Sequence, residues 1–153
     1  LAGRVRVVAA IDINTKALDV FRKNFPEAAA VARARTIESI PWEEMAAWAG
    51  DLWWMSPPCQ PHTVRGLQQG LEDPRSASFL HLMAAIKAVK PPRLLLENVA
   101  GFWDSDSRAL WRETLLEAGY DLHEEILCPT MFGAPARRPR YFGAATRLGK
   151  VHG

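Results

Sequence analysis

A chain of 153 residues fits one domain, and its 48% apolar and 24% charged residues make an ordinary globular composition rather than a disordered one. No run of about 18 apolar residues exists to cross a membrane, and the N-terminal apolar stretch stops at Asp12, too early for a signal peptide. The 19 basic and 17 acidic residues leave a net charge of +2, which neither demands nor excludes a nucleic-acid partner.

Val5 to Ile11 is a continuous apolar run broken by Arg6, the pattern of a strand buried on both faces. Thr15 to Phe25 places Ala17, Leu18, Phe21 and Phe25 at helical spacing, with Pro26 as the stop. A short strand is expected within Ala28 to Ile37. A short helix opens at Pro41, with Glu43 and Glu44 in its first turn. Asp51 to Ser56 reads as a compact strand ended by Pro57-Pro58. Residues 60–75 carry Gly, Gln, Arg and Pro without periodicity, a long loop of the kind that is usually functional or disordered. Phe79, Leu80, Met83, Ile86 and Val89 share one helix face ahead of Pro91-Pro92, and Arg93 to Glu97 is a further buried strand. Leu110, Trp111, Leu115 and Ala118 mark a helix closed by Gly119, and Leu122 to Cys128 and Arg140 to Ala145 are the last two strands. The alternation predicts a single α/β domain with a mostly parallel sheet.

Ligands of such sheets collect beyond the carboxyl ends of the strands, where three polar features fall: Asp12, the Pro57-Pro58-Cys59-Gln60 turn, and Glu97-Asn98. The two prolines fix their backbone and cannot continue a ladder, so Cys59 is expected on a stiff turn, as a nucleophile requires. A lone cysteine is more often structural, and Glu97 or Asp12 alone would be an ordinary cap or strand end. Cys59 and Cys128 have neither disulfide-framework nor zinc spacing, so no metal and a reduced, cytoplasmic setting are expected. The six tryptophans are expected mainly in the core, and Arg65, Arg75 and Arg108 are weak candidates for phosphate contacts.

Taken in order, Ser56-Pro57-Pro58-Cys59-Gln60-Pro61, Glu97-Asn98-Val99 and Arg138-Pro139-Arg140-Tyr141-Phe142 resemble the motif series of the cytosine-5 methyltransferases. Ile11-Asp12-Ile13-Asn14 resembles that family's cofactor-ribose segment. Thr36-Ile37-Glu38, Ser78-Phe79-Leu80-His81 and Pro129-Thr130 resemble the branch that methylates an aspartate-tRNA cytosine. The resemblance implies a Rossmann-like fold and S-adenosylmethionine as cofactor. It also implies a nucleic-acid substrate, tRNA ahead of DNA. Cys59 would add to cytosine carbon-6, Glu97 would engage ring N3, Arg138 the ring carbonyl oxygen, and Arg140 the site or the backbone. Asp12, Ile13, Ile37 and Pro57 would line the cofactor, with Pro58, Gln60 and Asn98 as structural neighbours of the site.

Several positions depart from the family pattern. His62 stands where Phe is usual, Ala136 replaces the Gln or Asn of the arginine motif, and Thr36 replaces an adenine-binding Asp. The glycine-rich Phe-x-Gly-x-Gly turn after the family's opening strand has no counterpart in these residues. Residues 1–153 are therefore expected to be a partial catalytic domain whose sheet lacks its first, central strand. Missing segments or a complementing chain would complete it. The alternative is an inactive, truncated methyltransferase serving as a nucleic-acid-binding or interaction module.

Overall fold

The computed structural model describes residues 5–58 and 76–149, which fall into two compact units, residues 1–50 and 51–153. Cys59, Gln60, His62, Arg65 and Arg75, with the expected loop 60–75, lie outside the described residues.

In the first unit, β1 (Ala10–Asp12) leads into α1 (Thr15–Asn24), then a 3₁₀ turn, Pro26–Val31, and β2 (Ala32–Ala34). A second 3₁₀ turn, Ile37–Ser39, precedes α2 (Trp42–Ala47). Asn14 caps α1, its side chain accepting from the Ala17 amide at 3.2 Å, and β1 and β2 pair in parallel. Glu44 of α2 grips both nitrogen-rich side chains that flank the end of β2, Arg35 at 2.8 Å and Arg33 at 3.2 Å. The expected strand from Val5 to Ile11 is corrected: only its end pairs, and Val5 is 72% exposed. A parallel ladder needs a partner, and β2 offers only three residues.

The second unit contains β3 (Leu52–Met55), α3 (Ala77–Val89), β4 (Arg93–Val99), a 3₁₀ turn at Ala100–Asp104, and α4 (Asp106–Ala118). It ends with β5 (Tyr120–Leu127), a 3₁₀ turn at Pro129–Phe132, and β6 (Arg140–Arg147). Gly119, at φ 80°, closes α4 in the left-handed region that favours glycine. The sheet order is β3-β4-β6-β5, parallel between β3 and β4 and antiparallel at the other two pairings. The expected mostly parallel sheet is thus corrected for this unit. β5 and β6 are joined by a 12-residue loop, 128–139, which holds a 3₁₀ turn and no crossover helix, so the two strands pair as an antiparallel hairpin.

One face of β4 points Leu94, Leu96 and Asn98 inward. Trp111 and Leu115 of α4, Phe102 and Tyr141 are all buried, and the Phe102 ring lies 4.7 Å from Tyr141 and 5.9 Å from Phe79 of α3. The expected core placement of the tryptophans is corrected: Trp111 is fully buried, Trp48, Trp53 and Trp103 are half-buried, and Trp42 and Trp54 are exposed. Trp54 is 68% exposed on β3, which has β4 as its one strand neighbour among the described residues. No helix among the described residues is long and apolar enough to cross a membrane.

Candidate active site

Strand β4 runs on past Glu97 to Val99, so Glu97 sits inside the ladder, opposite Phe142, rather than at a strand end. Val99 faces Arg140 in the same register, and alternation puts Glu97 and Arg140 on one face of the sheet. Their side chains meet there, Arg140 Nε lying 3.2 Å from Glu97 Oε1, with 23% and 27% of each left exposed. The pair is held by backbone on both sides yet open to a ligand. Asn98 points to the opposite face. Its Nδ2 donates to the Pro57 carbonyl at 3.3 Å in a buried contact, and its Oδ1 accepts from the Val99 amide at 2.8 Å. Asn98 thereby ties the end of β4 to Pro57, just past β3. Pro57 is buried, Pro58 exposed, and Arg138 exposed on the loop that enters β6.

Behind this pair lies a group that the sequence did not single out. Glu124 of β5 is 6% exposed, and Arg108 reaches it through Nε at 2.9 Å and a terminal nitrogen at 3.2 Å. Arg112 also contacts it, and the Tyr141 hydroxyl donates to it at 2.7 Å. The Arg108 guanidinium lies 4.0 Å over the Trp103 ring and donates to the Trp103 carbonyl. The candidate phosphate contact at Arg108 is corrected accordingly: its charge is already engaged. Glu124 resembles Glu125 in sequence, and only the inward turn of β5 distinguishes them.

Burial pushes the Glu124 carboxyl up, but hydrogen bonds from Arg108 and Tyr141 and the charges of Arg108 and Arg112 outweigh it, and the net displacement is downward. Stability from such a group is fully present above its unfolded value, about 4.3, and is lost as pH falls through the lower folded value. The melting-temperature gap between the protein and Glu124→Gln should therefore be widest near neutral pH and shrink as pH falls below about 4.3 and through the lower folded value. A gap that stays constant through acid titration would remove Glu124 as the origin.

Gly143 stands opposite Glu124, and a Cβ placed there would lie 2.7 Å from the Tyr141 hydroxyl and 3.1 Å from Trp111 Nε1. Tyr141 is fully buried beneath Phe102 and cannot swing aside. Gly143→Ala is expected to cost about 3 kcal/mol, combining overpacking with a weakened hydrogen bond to a carboxylate. Tyr141→Phe, which removes the obstructing oxygen, should recover part of that loss in a double-mutant cycle read by urea unfolding.

In the first unit, Asp12 ends β1, and its Oδ1 accepts from the Asn14 amide at 2.8 Å. A carboxylate fixed by its own turn and open to solvent suits a ribose diol. Ile13 is exposed and Ile37 half-buried at the second 3₁₀ turn, an apolar edge of the kind a base would use. Among the described residues no cluster of His, Cys, Asp and Glu could hold a metal.

The fold is that of solved methyltransferases. The structure of Schizosaccharomyces pombe Dnmt2 methyltransferase superposes with a TM-score of 0.81 at 33% identity, over 97% of this chain and 44% of that one. The Entamoeba histolytica methyltransferase EhMeth gives 0.82 at 29% identity, over 95% and 46%. The chain belongs to the C-5 cytosine-specific DNA methylase family, whose profile matches residues 2–151. It is 43% identical over 139 residues to the Bos taurus and Homo sapiens tRNA (cytosine(38)-C(5))-methyltransferases, covering 90% of this chain and 35% of each of theirs. A Dictyostelium discoideum DNA (cytosine-5)-methyltransferase is 38% identical over 152 residues. The chain thus spans about a third of the length of the mammalian relatives it matches.

Proposed function

We propose that this chain forms the catalytic core of an S-adenosylmethionine-dependent enzyme that methylates carbon-5 of cytosine in nucleic acid, tRNA ahead of DNA. The observation that carries the reading is the Glu97–Arg140 pair at 3.2 Å, with Asn98 hydrogen-bonded to Pro57, two residues ahead of Cys59 in the sequence. Support for tRNA comes from the 43% identity to proteins described as tRNA methyltransferases.

Cytosine carbon-5 is a poor nucleophile. Addition of the Cys59 thiolate to carbon-6 forms a carbon–sulfur bond and moves the ring electrons toward N3 and carbon-5. Glu97 gives a proton or hydrogen bond to N3 as charge develops there. Arg138 binds the ring carbonyl oxygen, and Arg140 holds Glu97 in orientation. S-adenosylmethionine, when bound, supplies the electrophilic methyl group that the activated carbon-5 takes. Loss of the carbon-5 proton to a base or water then expels Cys59 and restores the ring. Asp12 would hold the cofactor ribose, Ile13 and Ile37 its base, and Pro57 the near wall, while Pro58, Gln60 and Asn98 shape the turn. The target base must leave its stack to reach these groups.

The sheet edges add a second element to the proposal. Strand β1 pairs with β2 alone and β3 with β4 alone among the described residues. We place a central strand between β1 and β3, supplied by another segment or a complementing chain.

The test is covalent trapping. A tRNA or DNA carrying 5-fluorocytosine retains its adduct, because fluorine cannot leave as the proton does. The complete gene product should form an adduct stable to denaturing gels, Cys59→Ser should form none, and Cys128→Ser should form it normally. Cys128 is a real rival, since the Thr130 hydroxyl, donating at 3.1 Å, holds its thiol below the usual range. An adduct that survives Cys59→Ser would overturn the assignment. No adduct at all would favour the binding-module alternative.

A further inference from the structure

The loop 128–139 leaves β5 and enters β6 at the register pair Leu127 and Arg140, the same level at which Arg140 faces Val99 of β4. It therefore rises from the end of the sheet that carries Glu97, two residues before Val99. Its tip is built rather than loose. The Cys128 amide donates to the Met131 sulfur at 3.4 Å, and the Thr130 hydroxyl donates to the Cys128 sulfur. Gly133, at φ 81°, returns its amide to the Pro129 and Thr130 carbonyls, and the Ala134 amide reaches the Pro129 carbonyl at 3.1 Å.

This ordered tip displays what a folded surface normally hides. Phe132 is 72% exposed and Met131 63%, and among the described residues no aromatic ring stacks on Phe132. The same loop holds Arg137 and Arg138, both exposed, and no acidic residue. Neither arginine has a carboxylate partner among the described residues. An open ring and thioether beside unpaired guanidiniums match an unstacked nucleobase flanked by phosphates. The ring offers a face for stacking, and the cations answer the backbone charge.

We propose that Phe132, backed by Met131, stacks an unpaired RNA base next to the cytosine that enters the site, with Arg137 on the adjoining phosphate. The shelf would hold the loop open while the target base is withdrawn, and it would favour substrates whose neighbouring base is free to unstack. This inference rests on the reading of the site as a cytosine methyltransferase acting on RNA.

The test uses the complete gene product and an RNA hairpin with 2-aminopurine beside the target cytosine in its loop. Binding should quench the 2-aminopurine fluorescence. Phe132→Ala should weaken binding about tenfold and abolish the quenching, whereas Phe132→Trp should retain both. Because the side chain is exposed, neither change threatens folding. Wild-type and Phe132→Ala proteins with equal affinity and equal quenching would overturn the shelf, showing Phe132 to be covered by the protein itself, and so would failure of the wild type to bind. The 5-fluorocytosine adduct, measured in parallel, separates the two readings. An adduct without stacking leaves the methyltransferase and removes the shelf. Stacking without an adduct leaves the shelf and removes the methyltransferase.

Discussion

Glutamine in place of Glu97 is expected to slow methyl transfer by about a hundredfold to a thousandfold while RNA affinity changes little. The substitution preserves shape. The residue sits mid-ladder in β4, its backbone paired with Phe142 of β6, and an amide oxygen can still face Arg140 Nε at a similar distance. An amide can also donate a hydrogen bond to cytosine N3, so the ground-state complex should survive. It cannot give up a proton as thiol addition raises the basicity of N3. The loss should therefore fall on kcat with KM nearly unchanged, the signature of an interaction made chiefly in the transition state. Single-turnover transfer and filter binding on the same RNA separate the two. Equal losses in both measurements would make Glu97 a residue that binds substrate rather than one that assists its chemistry.

That pair shows how far the sequence could be read. Glu97, Arg138 and Arg140 stood out because they lie in ordered motifs, and alternation along β4 would have put Glu97 and Asn98 on opposite faces. Their pairing depends on register, however, which links Val99 to Arg140 across 41 positions of sequence. Strand ends were misjudged for a related reason. Glu97-Asn98-Val99 looks like a polar stop, yet β6 supplies partners for all three residues. Val5 to Val8 looks like a strand, yet it pairs with nothing among the described residues. Local pattern reports the preference of a segment, whereas the extent of a strand is decided by its neighbour.

The Glu124 network was hidden for another reason. A buried carboxylate is legible only when its cations are known to converge, and Arg108, Arg112 and Tyr141 arrive from two different elements. One signal was available. Gly143 lies within an otherwise β-prone strand, and a glycine there often marks close approach by another group. The group that approaches is the Tyr141 hydroxyl on its way to Glu124.

Residues 1–153 by themselves are expected to bind S-adenosylmethionine weakly or not at all and to transfer no methyl group. β1 and β3 each have one strand neighbour among the described residues, and both present apolar side chains beside their open edges: Val5 and Ile13 near β1, Leu52 and Trp54 on β3. An edge of that character invites another strand or aggregation. The proposed cofactor residues are divided in the same way, with Asp12, Ile13 and Ile37 in the first unit and Pro57 in the second. With those edges unpaired, cofactor binding must also order the backbone beside them, and ordering costs about 1–2 kcal/mol for each residue newly restrained. Several such residues would consume the 8 kcal/mol or so that corresponds to micromolar affinity. Calorimetric titration of the purified chain measures this directly. Adding a peptide that supplies the strand and its glycine-rich turn should restore a measurable heat of binding. Low-micromolar affinity without the peptide, accompanied by turnover on tRNA or DNA, would show that β1 and β3 need no strand between them.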